Sequence, residues 1–291
     1  MRFLDADTFY RKTFGCKMYK ASVSLDVTCP TRDGTKGTGG CRFCSPMGSG
    51  DFAASCKKSI SSQIDEAIDR LSSKTGKDTG FIAYFQSFTS TYCDPSLLDR
   101  ALEEASAHPR VRAIAIGTRP DCLPEDIMDV LKRHASRIPV TVELGLQTSK
   151  EKTAEWFGRA FRNDVYQDAV RKLHEAGIEV TTHIIFGLKG ECVDDMVGSV
   201  RFAVESGTDS LKFTCLYFLR GTPLEEDLKN GELASLSMEE YFGIVEEALR
   251  EVPPGMPVLR ITGDGPKSLL VAPLWTADKR KVINYIRKRF G

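Results

Sequence analysis

The feature that most constrains this chain is an alternation of segment types. Six short stretches with strand character recur along it, roughly 30 residues apart, the repeat of a strand–helix–strand unit. They are 21–27 (ASVSLDV), 81–86 (FIAYFQ), 112–117 (RAIAIG), 139–145 (PVTVELG), 178–186 (IEVTTHIIF) and 210–218 (SLKFTCLYF). Several are apolar nearly throughout, as strands covered on both faces must be. Helical patterns lie between them. Ile60, Ile64, Ile68 and Leu71 share one face at helical spacing. Asp94-Pro95 opens a helix running to Ala107, Pro124–His134 and Asn163–Ala176 follow, and Ala176-Gly177 supplies a stop. Val193–Glu205 and Met238–Leu249 complete the series. Strands alternating with helices in this way build right-handed units and a parallel sheet. Six units are two short of a closed eight-stranded barrel. The expected fold is therefore α/β, a partial (β/α)6 TIM-like barrel, with a doubly wound open sheet as the alternative. Either places its chemistry at the carboxyl ends of the strands. The pattern breaks at Pro253-Pro254-Gly255. Beyond it, 256–273 reads as loop and short strand, and 277–290 as a helix carrying Lys279, Arg280, Lys281, Arg287, Lys288 and Arg289. The expected organisation is a barrel with a short N-terminal extension over residues 1–252 and a C-terminal extension, 253–291, packed on it.

Composition narrows the function classes. Among 291 residues, 40 Lys+Arg balance 40 Asp+Glu, which excludes a strongly basic nucleic-acid coat but leaves room for a local patch. No apolar run reaches the length of a membrane span, so no membrane association is expected. The opening MRFLDADTFYRKTFG lacks the apolar core of a secretory signal. These readings point to a cytoplasmic protein, and in a reducing compartment clustered cysteines more often bind metal than form disulfides.

Three of the nine cysteines stand together in CPTRDGTKGTGGCRFC, residues 29–44, directly after the first strand. Gly34, Gly37, Gly39 and Gly40 give this loop the freedom to wrap a compact inorganic cluster and aim its amides inward. Three is one fewer than a structural zinc site or a fully ligated four-cysteine cluster requires. Three readings follow from the residues: a zinc loop completed by Cys16, Cys56 or a distant histidine, a redox-active Cys41/Cys44 dithiol that leaves Cys29 without a role, or an iron–sulfur cluster with one iron left open for a ligand.

The loop, the strand before it and the units after it resemble the radical S-adenosylmethionine (SAM) superfamily. The spacing of eleven and then two residues between cysteines resembles its YhcC/YtqA-type branch, related to the elongator catalytic subunit. Further matches are GSGDF (48–52), YFQSFTSTY (84–92), GTRPDCL (117–123), ELGLQT (143–148), HIIFGLKGE (183–191), RGTPL (220–224) and RITGDGPKSLLVAPLW (260–275).

The resemblance implies an enzyme in which Cys29, Cys41 and Cys44 bind a [4Fe–4S] cluster whose open iron chelates SAM. Reductive cleavage of SAM then yields a 5′-deoxyadenosyl radical that abstracts hydrogen from the substrate. Carried over residue by residue, it implies that Phe43 packs near the adenine, that Gln86 and Ser87 lie at the methionine end, and that Gln147 and Arg159 form a SAM-binding pair like that of oxygen-independent coproporphyrinogen dehydrogenase. The usual Gly-Gly-Glu signature is absent at Gln86–Ser87. Gly187 corresponds to a glycine that lets backbone approach the adenine. Glu143, a carboxylate in an otherwise buried strand, needs a partner and is placed with the cofactor contacts. Arg119, Asp121 and Cys122, after the third strand, are candidates for substrate contact. The implied partners are a low-potential electron donor of flavodoxin or ferredoxin type and tRNA, since relatives act on wobble uridines. The same radical chemistry on a small metabolite, and a noncatalytic zinc-stabilised binding protein, are the alternatives.

Overall fold

The structure is a computed structural model that describes residues 3–263 and 265–291; Asp264 of the closing sequence match lies outside the described residues, as do Met1 and Arg2. Its centre is one eight-stranded parallel sheet, curled into a half-barrel and clad by helices. In chain order its strands are β1 (Leu4–Asp5), β2 (Met18–Val23), β3 (Gly80–Phe85), β4 (Val111–Thr118), β5 (Val140–Gln147), β6 (Glu179–Phe186), β7 (Ser210–Cys215) and β9 (Pro257–Arg260). Their spatial order is β1-β9-β7-β6-β5-β4-β3-β2. A separate antiparallel pair joins β8 (Phe218–Leu219) to β10 (Leu270–Ala272).

The α/β partial barrel is as expected, but the sheet has two more strands than the sequence pattern indicated. Both come from the extensions. β1 pairs in parallel with β9, Leu4 opposite Pro257, and β9 pairs in parallel with β7, Leu211 opposite Val258. Residues 253–291 are therefore not merely packed on the barrel, because one of their strands lies inside its sheet. At two and four residues, β1 and β9 are too short to show a period of two. β2 begins at Met18 rather than at Ala21 and ends at Val23. There the buried Gln63 side chain takes over the backbone pairing, accepting from Ser24 N at 2.7 Å and donating to Ser24 O at 3.0 Å.

The outer layer follows the helical faces read from sequence: α2 (Ile60–Arg70), α3 (Pro95–Ala107), α4 (Glu125–Ala135), α6 (Asn163–Glu175), α7 (Val193–Glu205) and α9 (Met238–Ala248). Each buries one apolar stripe against the sheet; in α6 it is Tyr166, Ala169, Val170 and Leu173. Side chains of that size stabilise by about 1.5–3 kcal/mol each when fully buried. Two short helices, α5 (Glu151–Trp156) and α8 (Pro223–Lys229), decorate the carboxyl end of the sheet. The C-terminal α10 (Lys279–Phe290) lies on α9, with Tyr285 stacked on Phe242 at 5.2 Å and Phe290 6.0 Å from the same ring.

The N-terminal helix α1 (Ala6–Phe14) contacts β1, β2 and β9. It thus spans the open side of the half-barrel. Its Tyr10 and Phe14, with Cys16, pack on Met18, Ile82, Tyr84, Ala113 and Ala115, which point into the lumen, and so close the lumen's amino end. The lumen is left open at the other end, where the 36-residue connection from Ser24 to Ser59 lies.

Candidate active site at the mouth of the half-barrel

A cavity of about 270 Å³ opens at the carboxyl ends of the strands. Cys29, Cys41 and Cys44 line it together, all three as free thiols. The loop that carries them is locked by its own backbone. Cys29 O accepts from Arg32 N, Gly40 N donates to Thr31 O, and Cys44 N donates to Cys41 O at 2.9 Å. Gly40 sits at φ +82°, and a Cβ there would fall 2.7 Å from Arg32 Nε, so only glycine lets the chain double back over that arginine. Arg32 in turn donates to Ser45 O at 2.7 Å. Two tethers fix the loop to the barrel: Arg42 N bonds Phe157 O at 3.0 Å, and the Arg42 guanidinium pairs with both oxygens of Asp227 at 2.8 and 2.7 Å.

Burial pushes the Cys41 thiol up to about 12, and the neighbouring Cys44 adds to this while Arg119 opposes it. Cys44 is likewise raised by burial, against the pull of Arg32. Thiols desolvated in one loop resist ionising together unless a cation compensates them. Among the described residues, no group of three or more His, Cys, Asp or Glu side chains is placed to share one metal ion. Tetrahedral zinc would need thiolates about 3.8 Å apart at its usual bond length. The proposed zinc completions are also misplaced. Cys16 packs at the closed amino end of the lumen, and exposed Cys56 lies 4.0 Å from Asp26. His183 is engaged by Glu143. Cys215, on the same wall, is buried in the apolar core at the end of β7. Three soft thiolates spread round a cavity fit a [4Fe–4S] cluster with an open iron better than they fit structural zinc.

Of the residues singled out in the sequence, Phe43, Gln86, Arg119, Glu143, Gln147 and Arg159 also line the cavity. Phe43 packs edge-on against Phe157 at 5.3 Å. Gln147, the last residue of β5, has φ +63°, a left-handed backbone that costs energy for a residue with a side chain. Its amide lies over Gly145, where a Cβ would come within 2.2 Å of Nε2. Ser87 and Gly187 are not on the cavity wall. Ser87 is buried against Ser24 and under Gly50, and Gly187 packs on Leu236. Asp121 and Cys122 line a separate outer cleft. Asp121 is consumed by Arg119, at 2.9 and 2.8 Å, and by Lys36 at 2.6 Å.

Arg159 is placed differently from its expected role. Its five N–H donors are met by Phe161 O, Leu146 O, Thr148 O, Glu151 Oε2 and Asn163 Oδ1 at 2.7–3.2 Å. The guanidinium has no donor left for a ligand carboxylate, and it acts as a brace that shapes the turn after β5.

The floor of the cavity holds an ionic cluster. Glu143, 3% exposed, is bonded by Lys20 and Lys212 and by His183 Nε2 at 2.7 Å. Burial would raise this carboxyl, but Lys20, Lys212 and His183 overcome it and hold it well below the usual range. Burial, with Lys20 and Arg260 nearby, draws the Lys212 ammonium down, and burial brings His183 to about 4. The Tyr84 ring lies 3.8 Å from Lys20 Nζ and 4.9 Å from Lys212 Nζ. Arg260 reaches the floor from β9 and donates to Thr214 Oγ1 at 2.6 Å, while its buried Nε has no partner among the described residues. Three cations thus face one carboxylate. Lys20, Lys212 and Arg260 were missed in the sequence, although a lysine inside a strand covered on both faces is itself a signal of a polar lumen.

Comparison with known proteins places these features in a family. The model described as Radical SAM superfamily matches residues 34–203, and that described as Radical_SAM C-terminal domain matches residues 208–291. The chain is 40% identical over 278 residues to the uncharacterized protein YtqA of Bacillus subtilis, covering 96% of this chain and 86% of YtqA. It is 29% identical over 184 residues to a tRNA uridine(34) acetyltransferase of Methanocaldococcus jannaschii, covering 61% of this chain and 33% of that protein. The solved structure of Elp3 from Methanocaldococcus infernus, lacking residues 1–46, superposes with a TM-score of 0.66 at 16% identity, over 94% of this chain and 63% of that one.

Proposed function

Because this chain belongs to the radical SAM superfamily, in the branch that includes YtqA, we propose that it is a tRNA-modifying enzyme that abstracts hydrogen at a wobble uridine. It is an enzyme that uses a [4Fe–4S] cluster and SAM. When bound, that cluster supplies the electron that splits SAM into methionine and a hydrogen-abstracting 5′-deoxyadenosyl radical. The electron must reach it from a low-potential donor.

In this reading Cys29, Cys41 and Cys44 hold the cluster at the mouth of the lumen. Phe43 and Gln147 bound the space beside it, and Arg119, fixed by Asp121, supplies the positive charge that favours the thiolates over the thiols. Arg159 acts at one remove by holding the turn that carries Gln147. The lumen wall excludes water from the reacting centre. Its floor, where the Arg260 guanidinium faces the cavity, favours a reactant bearing negative charge over a cationic one.

The observation that carries the reading is that the three thiols of one loop line a single cavity at the carboxyl ends of the strands. The tRNA substrate is supported by the related tRNA uridine(34) acetyltransferase. The test has two arms. Anaerobically reconstituted protein with SAM and a low-potential reductant is expected to form 5′-deoxyadenosine, and Cys44→Ala to form none. The nucleosides of tRNA from a deletion strain are expected to show an altered wobble uridine. An unchanged profile there overturns the substrate while leaving the radical chemistry in place.

A further inference from the structure

We infer that the outer face of α10 is the docking surface for the phosphate backbone of tRNA. The inference rests on the tRNA reading and extends it from the reacting centre to the means of capture. Over Lys279–Phe290 the helix carries six cations and no carboxylate. These divide by face. Val282 and Phe290 are buried, Tyr285 stacks on Phe242, and Arg289 pairs with Glu239 at 2.8 Å and Glu246 at 3.0 Å. The acids of α9 therefore neutralise the inner side. Arg280, Lys281, Asn284, Arg287 and Lys288 fall at i, i+1, i+4, i+7 and i+8, which is a single face, and all are exposed. No carboxylate among the described residues forms an ion pair with Arg280, Lys281, Arg287 or Lys288. In a chain whose total charge is zero, this concentration on one face is local and uncompensated.

A basic amphipathic helix also suits an anionic membrane surface, but that mode requires an apolar face to insert. Val282, Tyr285 and Phe290 of α10 are already spent on the barrel side, and Ile283, 40% exposed, is left as a single large apolar side chain beside the outer cations, too little to insert but compatible with a polar stripe that fits phosphates. The helix is also placed to serve the cavity. β10 pairs with β8 through Leu270 and Leu219, and Leu219 lines the cavity. Only six residues separate Ala272, the end of β10, from Lys279. The helix start thus lies within roughly 25 Å of the rim along the chain. A stem held on α10 can present a loop nucleotide to the mouth.

The test is binding of deacylated bulk bacterial tRNA to the holoenzyme between 50 and 200 mM salt. Three variants are compared with the parent. One is Arg280→Gln/Lys281→Gln/Arg287→Gln/Lys288→Gln. The second is a control of equal charge loss elsewhere, Lys77→Gln/Lys132→Gln/Arg133→Gln/Lys172→Gln. The third, Arg280→Lys/Arg287→Lys, preserves charge. Melting temperatures confirm folding. The α10 variant is expected to lose at least about tenfold in affinity and to flatten the slope of log K against log salt by about three. The control and the charge-preserving variant should stay near the parent. Equal loss in the control, or none in the α10 variant, overturns the surface and leaves the tRNA reading standing. A parent protein that binds phosphatidylglycerol vesicles through α10 in preference to tRNA overturns it in favour of a membrane. A parent that binds no tRNA at 50 mM salt overturns the surface and the tRNA reading together.

Discussion

The two ends of the lumen handle buried charge in opposite ways. At the floor, Glu143 is met by Lys20, Lys212 and His183, so the protein compensates its own carboxylate. At the mouth, Cys29, Cys41 and Cys44 share a cavity wall with Arg32, Arg119 and Arg159, yet burial raises the Cys41 and Cys44 thiols. The floor is finished on folding, whereas the mouth is completed by a ligand. A site that must accept a cofactor has to leave some electrostatic demand unmet, and here the thiols of one glycine-rich loop carry it.

The contrast can be broken most forcefully at the mouth. Replacing Cys29, Cys41 or Cys44 by alanine is expected to abolish the visible absorbance of the reconstituted protein. It should lower 5′-deoxyadenosine formation by more than about a hundredfold, beyond what an outer-sphere partner costs. The melting temperature of the cluster-free protein should move by less than about 2 °C. At the floor the pattern reverses. Glu143→Ala strands two cations and is expected to cost about 3–5 kcal/mol in urea unfolding, whereas Lys20→Met/Glu143→Leu/Lys212→Met together should recover most of that loss.

A second carboxyl sharpens the comparison. Glu191, in the loop after β6, has a hydroxyl, Thr148 Oγ1, on one oxygen and no partner on the buried other. Burial raises it from 4.5 to about 7, in spite of Thr148, where Glu143 is lowered. The folded state therefore holds its proton more tightly than the unfolded chain does. Its stabilising contribution is complete below about pH 4.5 and is lost as pH rises to about 7, a loss of up to about 3 kcal/mol. Chemical denaturation across that range should show it, and Glu191→Gln should flatten the dependence. The smallest effect belongs to Arg260→Gln. Removing a cation from a floor that has three against one carboxylate should alter stability by under about 1 kcal/mol, with any loss appearing in turnover instead.

Much of this was legible in the residues. The six strand–helix units were readable because each is long enough to show its period, and the cysteine loop because ligand chemistry demands thiols at close spacing. Glu143 could be read as buried and in need of a partner, but not which partners, since Lys20 and Lys212 lie 123 and 69 residues away in sequence. Arg159 shows the opposite failure. Its residue type suited a ligand carboxylate, yet folding delivers five internal acceptors to it, and only the tertiary structure reveals that they are taken. β1 and β9 escaped because a two- or four-residue strand is specified by its neighbours rather than by its own pattern.

The pairing of β1 with β9 has a consequence for how the molecule is made. Leu4 leaves the ribosome well before its partner Pro257, which lies more than 250 residues further along the chain. At roughly 5–20 residues per second, β1 waits on the order of ten to fifty seconds for the strand it joins. Until then α1, which closes the amino end of the lumen, lacks its contacts with β9 and rests on β1 and β2. The seal of the half-barrel thus depends on a strand made long after the segment it holds, and a chain arrested before residue 257 would keep that end of the lumen unlatched.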